Sequence, residues 1–207
     1  MVERASAVIF DCEYLVSEGA QARYWCGPYD PDPVVVQIGA VRLILENDFA
    51  IAGEFEAIIT PVDRYGRPFD LAQTFVDLTG ITRERIAQQG RSLPDVLAAL
   101  CKFSGKGGLW SWGKDEFNLM AISCYIAGIE PPIAAHRFDN ACKLLLKAGM
   151  PYDDIRKTRS GHLPHYFNLP HAGPGRHDGL EDARAVARVL QHLLRERRLT
   201  AESFKRL

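Results

Sequence analysis

Two groups of residues in this sequence could do chemistry. Asp11 and Glu13 stand two apart in Val8-Ile9-Phe10-Asp11-Cys12-Glu13. On a strand, residues two apart share a face, so both carboxylates project together where an apolar run ends. Paired carboxylates repel unless something cationic neutralises them. A divalent metal does this well, because hard cations prefer oxygen ligands. A D-x-E tripeptide is also common at the exposed ends of strands, so alone it decides little.

The second group is His177-Asp178-Gly179-Leu180-Glu181-Asp182-Ala183. A histidine precedes a helix, and an aspartate follows five positions later. Asp178 and Glu181 fit the ordinary preference of a helix N-terminus for acids. Asp182 fits it less well, because it lies one turn before Val186 on the apolar side of the helix.

The elements that must position these groups can be read from periodicity. Residues 5–10 form a short apolar run, expected to be a central buried strand. Residues 34–45 are β-branched and aliphatic, Glu46-Asn47-Asp48 is a turn, and residues 50–59 return as a third strand. The stretch 17–33 carries Gly19, Gly27, Pro28, Pro31 and Pro33 and is a long loop, of a kind that usually serves function. Helices are expected over 81–89, 93–103, 116–127 and 141–148, with short strands at 109–112 and 137–140. Trp110 and Trp112 flank Ser111 and are expected to face opposite ways, one of them in the core. Residues 150–175 are irregular apart from a turn of helix near 163–167. The clearest helix runs from Gly179 to Arg195, with an apolar stripe of Leu180, Ala183, Val186, Ala187, Leu190, Leu193 and Leu194. Strands early, then alternating helices and strands, give one α/β domain over residues 1–207 with a mixed sheet.

Together the two groups resemble the DEDDh 3′–5′ exonucleases, the DnaQ-like family of the ribonuclease H-like fold. In that family D-x-E ends the first strand and H-x-x-x-x-D opens the last large helix. The flanking segments are similar too: Gln37-Ile38-Gly39-Ala40-Val41, Asp77-Leu78-Thr79-Gly80-Ile81-Thr82 and Leu180-Glu181-Asp182-Ala183. The resemblance spans about residues 5–195. It implies a ribonuclease H-like mixed β-sheet flanked by α-helices.

The resemblance also implies a middle acid at the start of a helix, within Ser111-Trp112-Gly113-Lys114-Asp115-Glu116. Ungapped counting places it at Glu116, whereas the family's use of aspartate favours Asp115. Both stand as candidates, with Asp115 preferred. The implied cofactors are two divalent ions, Mg²⁺ or Mn²⁺, held by Asp11, Glu13, Asp182 and the middle acid. His177 is then the general base, since an imidazole titrates near neutral pH. Tyr14 and Leu15 would lie against the terminal nucleotides. The expected partner is nucleic acid with a free 3′ end, single-stranded, and the product a nucleoside 5′-monophosphate. D-C-E occurs in some RNA-degrading relatives, which tilts the expectation towards RNA over DNA.

Two other readings share these residues. A catalytically inactive module that binds nucleic acid or protein would have lost an acid, and four of the five positions are intact. An endonuclease of the ribonuclease H type would share the carboxylates, but H-x-x-x-x-D with L-T-G-I-T favours the exonuclease. His162, His165 and His171 lack a fitting fourth ligand for zinc. Arg156, Lys157 and Arg159 are candidates for phosphate contacts, with a solvated charge run as the alternative.

Composition sets the outer bounds. Five cysteines without a C-x-x-C pair argue against a disulfide framework, so a reducing cytoplasm is expected. No segment has the roughly 20 apolar residues that span a bilayer, so no membrane partner is expected. A homodimer is compatible with the sequence. The net charge of −1 argues against coating long stretches of nucleic acid, and few phosphate contacts are expected.

Overall fold

A computed structural model describes residues 4–170 and 177–205. The chain begins with three antiparallel strands, β1 (Ser6–Tyr14), β2 (Val35–Ile44) and β3 (Ile51–Ile59). Helices α1 (Gln73–Thr79) and α2 (Arg83–Gln89) lead to the two-residue strand β4 (Gly90–Arg91). Helix α3 (Leu93–Ser104), strand β5 (Gly108–Ser111), helix α4 (Asp115–Ile126) and strand β6 (Phe138–Asn140) follow. Three short helices, α5 (Cys142–Lys147), α6 (Tyr152–Lys157) and α7 (Leu163–Tyr166), precede the long α8 (Gly179–Arg195). The sheet order is β4-β3-β2-β1-β5-β6, and β5 and β6 run parallel to β1. This is the mixed α/β sheet expected from the sequence.

The period-2 pattern of β1 divides the core. Ala7 and Ile9 face α8, where Val186, Val189, Leu190 and Leu193 are buried against them. Val8, Phe10 and Cys12 face the other way, under Val96, Leu97 and Leu100 of α3 and Leu119 and Met120 of α4. Each such aliphatic or aromatic side chain contributes about 1.5–3 kcal/mol of burial. A third cluster, with Leu15, Val36, Ile58, Phe75 and Ile81, lies under the β1–β2 loop and α1.

Most of the expected elements are present, with several differences, among them α6 within the stretch 150–175 that was expected to be irregular. β1 continues past Phe10 through both acids to Tyr14, because β2 pairs with it along its whole length. The helix expected over 81–89 is α2, which starts at Arg83 because Thr82 accepts a hydrogen bond from the Arg85 N–H, whereas α1, ended by Gly80 at φ +72°, stands where no helix was expected. Trp110 and Trp112 do not face opposite ways: both pack on the α8 side, because residues two apart in extended chain share a face, and Trp112 follows directly on β5. His171 and residues 173–176 lie outside the described residues.

The start of α8 is placed by backbone contact. Asp178 is its N-cap and accepts from the N–H groups of Leu180 and Glu181 at 3.0 and 3.1 Å. Gly39 of β2 pairs with Asp11 and meets this turn: a Cβ there would lie 2.1 Å from the Leu180 nitrogen. Gly179 returns the fit, since its Cβ would lie 3.0 Å from the Asp11 carbonyl oxygen. Two glycines therefore let the helix end touch the sheet. Gln37, fully buried, fastens the contact. Its Oε1 accepts from the Gly179 N–H at 3.0 Å, and its Nε2 donates to Glu56 at 3.0 Å and to Asp178 at 3.3 Å.

Candidate active site

The end of β1 opens into a cavity of about 520 Å³. Asp11, Glu13, Asp115, Glu116, His177 and Asp182 all line it. Asp11 and Glu13 come from one face of β1, as the D-x-E spacing requires, while Cys12 packs on the opposite face. Asp182 comes from the first turns of α8, which the glycine contact sets against the sheet. Ligand atoms of Glu13, His177 and Asp182 lie within 4.8 Å of one another.

Four of these groups crowd negative charge into a buried space. Asp11, Glu13 and Glu116 are 9%, 6% and 5% exposed. Burial, then the neighbouring Glu116, Asp182, Glu13 and Asp115, raise the Asp11 carboxyl well above its ordinary range. Burial and then Asp182, Asp178 and Glu116 push Glu13 up to about 8. Glu116 is also raised to about 8, by burial and then Asp115, opposed in part by hydrogen bonds with the Ser111 and Asp11 side chains. Among the described residues, Asp11, Glu13 and Glu116 form no ion pair with a lysine or arginine. One oxygen of the cluster, Oε2 of Glu116, is buried without a hydrogen-bond partner. A hard divalent ion satisfies both deficits, so the donor set fits the metal that the sequence implies.

The two candidates for the middle acid occupy different surroundings. Glu116 is buried and interacts with Asp11. Asp115, the residue that family usage favours, is exposed at the rim. The β5–α4 junction turns at Gly113, φ +99°, and the helix starts at Asp115, which carries Glu116 inward.

The remaining expected site residues divide. Tyr14 lines the cavity, and its hydroxyl accepts from Gln21 Nε2 at 2.7 Å. Its ring packs edge-on against Trp25 at 5.5 Å. A bulge in the β1–β2 pairing after Glu13 re-aims the chain at this point. Leu15 is not brought to the cavity. It is 1% exposed in the third core cluster, and its N–H donates to the Val34 carbonyl, which closes the loop neck. Val16 lines the cavity in its place.

One wall joins Arg159, a candidate for phosphate contact, to residues that the sequence did not assign to the site. Arg159, Ser160, Gly161 and His162 form a turn that borders the acids. A Cβ on Gly161 would lie 2.6 Å from Oδ1 of Asp182. The signal was local and weak: a glycine in an irregular stretch, with no periodicity to place it. Of the basic run, Arg159 reaches the cavity, whereas Arg156 lies near Asp153 and over the Tyr152 ring. Trp112 adds a further wall.

No family model matches the sequence, and no curated protein matches it. Solved structures do match. A 3′-exonuclease in a study of 3′-end-specific recognition of histone mRNA stem-loop aligns with a TM-score of 0.73 at 18% identity, covering 95% of this chain and 84% of that one. The nuclease domain of 3′hExo, a DEDDh family member bound to rAMP, aligns at 0.70 with 19% identity over 94% of both chains. Zinc-bound E. coli ExoI in complex with ssDNA aligns at 0.64 with 16% identity, covering 94% of this chain and 41% of that one. The chain therefore has the fold of the DEDDh 3′-exonucleases, over nearly its whole length.

Proposed function

We propose that this chain is a metal-dependent 3′–5′ exonuclease that releases nucleoside 5′-monophosphates from nucleic acid. The observation that carries the reading is the convergence of Asp11, Glu13, Glu116 and Asp182 with His177 in one cavity. Asp11, Glu13 and Asp182, with Glu116 as the middle acid, would hold two divalent ions, Mg²⁺ or Mn²⁺. Burial against Asp11 supports Glu116 over Asp115 in that role. When bound, such ions neutralise the carboxylates and the charge of the scissile phosphate and lower the pKa of water.

The protein's own residues do the rest. Asp11 and Glu13, fixed by strand pairing, and Asp182, fixed by α8, set the geometry in which the phosphate is held. His177 takes the proton of the attacking water, whose oxygen bonds to phosphorus as the bond to the 3′-oxygen breaks. Its ligand atom lies within 4.8 Å of those of Glu13 and Asp182, close enough for a water between them. Tyr14 and Trp112 offer ring edges and faces to the terminal nucleotide, and Arg159 a cation to its phosphate. RNA is the favoured substrate over DNA. The D-C-E motif supports that, as do the histone mRNA stem-loop and rAMP named for two of the aligned structures, against ssDNA for the third.

Digestion of RNA and DNA oligonucleotides labelled at either end, with Mg²⁺ or Mn²⁺ and with chelator, tests the reading. Mononucleotides should be released from the 3′ end only, RNA faster, and chelator should abolish the reaction. Internal cleavage independent of the 3′ end, or full activity in chelator, overturns it.

A further inference from the structure

We propose that a second cleft, at the β5–β6 edge of the sheet, holds the single strand upstream of its 3′ end. The inference rests on the exonuclease reading of the acid cavity. The cleft encloses about 520 Å³ and is lined by Lys114, Lys143, Lys147 and Lys205. Phe117 and Phe138, both partly exposed, also line it, with ring centroids 5.3 Å apart at 50°. Lys143 pairs with Asp139 and Lys205 with Glu202, each at 2.6 Å. Lys114 and Lys147 have no acidic partner among the described residues. The cleft is therefore locally positive in a chain whose net charge is −1.

Its position matters as much as its charge. The β5–α4 junction is a shared wall. Trp112, Asp115 and Glu116 line the acid cavity, and Gly113, Lys114 and Phe117 line the cleft. The acid cavity offers a strand end one arginine, Arg159, among several carboxylates, so the strand's remaining phosphates need cations nearby. The lysines across this wall are such a group. Aromatic faces set among lysines are the chemistry that binds single strands without sequence preference: rings stack on bases and ammonium groups follow the phosphates. An acidic peptide would use the lysines but leave the two rings without planar partners.

The test is Lys143→Ala with Lys147→Ala, both on an exposed stretch of α5. Binding of a labelled single-stranded oligonucleotide of about 20 residues, longer than a site of about 4–16 nucleotides, is read by anisotropy in chelator so that nothing is cut. Affinity should weaken about tenfold, and the log–log salt slope should become shallower by about 0.7 for each phosphate that the variant no longer neutralises. Unchanged affinity and slope would show that the cleft serves some other ligand and overturn the proposal. Failure of the exonuclease reading has a separate signature: wild-type protein with Mg²⁺ or Mn²⁺ would not hydrolyse any oligonucleotide, whatever the binding result.

Discussion

The backbone N–H of His177 donates to the carbonyl of Leu78 at 3.1 Å. This bond ties the residue before α8 to the last turn of α1, where Gly80 ends the helix in the left-handed region. The segment Leu78-Thr79-Gly80 thus anchors the candidate base through its backbone. His177→Ala should keep that backbone bond and lose the imidazole. The expected cost is about 10²–10⁴-fold in kcat, the usual worth of general-base catalysis. Calorimetric titration with Mn²⁺ should still detect metal. A variant with near-full activity and an unchanged pH profile would remove His177 from the mechanism.

Glu116→Gln and Asp115→Asn should separate the two candidate acids. Both substitutions keep shape and remove charge. The loss at buried Glu116 should slow hydrolysis by orders of magnitude, and the loss at exposed Asp115 by about tenfold at most. Equal effects would mean that both acids serve the site, and a larger effect at Asp115 would reverse the assignment.

Two glycines should fail in different ways. Gly39→Ala puts a methyl 2.1 Å from backbone of α8, which cannot yield without moving the helix. Stability should fall by about 3 kcal/mol or more in urea unfolding, the upper range of overpacking. Gly161→Ala meets instead the Asp182 carboxylate at 2.6 Å, a side chain able to rotate. It should cost little stability and weaken metal binding, visible by calorimetry. Metal affinity equal to wild type in Gly161→Ala would mean that Asp182 does not ligate from that position.

The metal-free protein should lose stability as pH rises. Glu13 and Glu116 titrate near 8 when folded, against an ordinary 4.5. Between those values the folded state keeps protons that the unfolded chain releases, so stability falls with rising pH across that window. In chelator, Tm should drop from about pH 5 to about pH 8, and Mg²⁺ or Mn²⁺ should restore it at the alkaline end. A Tm that climbs over this range in chelator would contradict the buried-acid description.

Much of the architecture could be read from pattern. The alternation that puts Asp11 and Glu13 on one side of β1 and Cys12 on the other is a period-2 signal, and the stripe of α8 is a period-3.6 signal. Both are local, and both gave the expected elements. The middle acid was not legible, because Asp115 and Glu116 are neighbours at a strand–helix junction. Only the turn at Gly113 decides which one faces inward. Arg159 was legible as a basic residue, but the wall it forms with Gly161 and His162 was not, since tertiary contact with α8 places it and no repeat in its own sequence does. Leu15 shows the converse: next to a cavity-lining residue in sequence, it is drawn into a core built from Val36, Ile58 and Phe75. The lysine cleft gathers residues from α4, α5 and the C-terminal turn, each unremarkable alone.

The long helix α8 is the last large element of the chain, and it supplies Asp182 and, just before it, His177. During synthesis from the N-terminus, Asp11 and Glu13 are added long before residues 177–195. Until then one face of β1 and β2 lacks its cover, and the acid pair lacks both its third carboxylate and its base. The acid pair and the candidate base therefore come together only when α8 seats on Gly39.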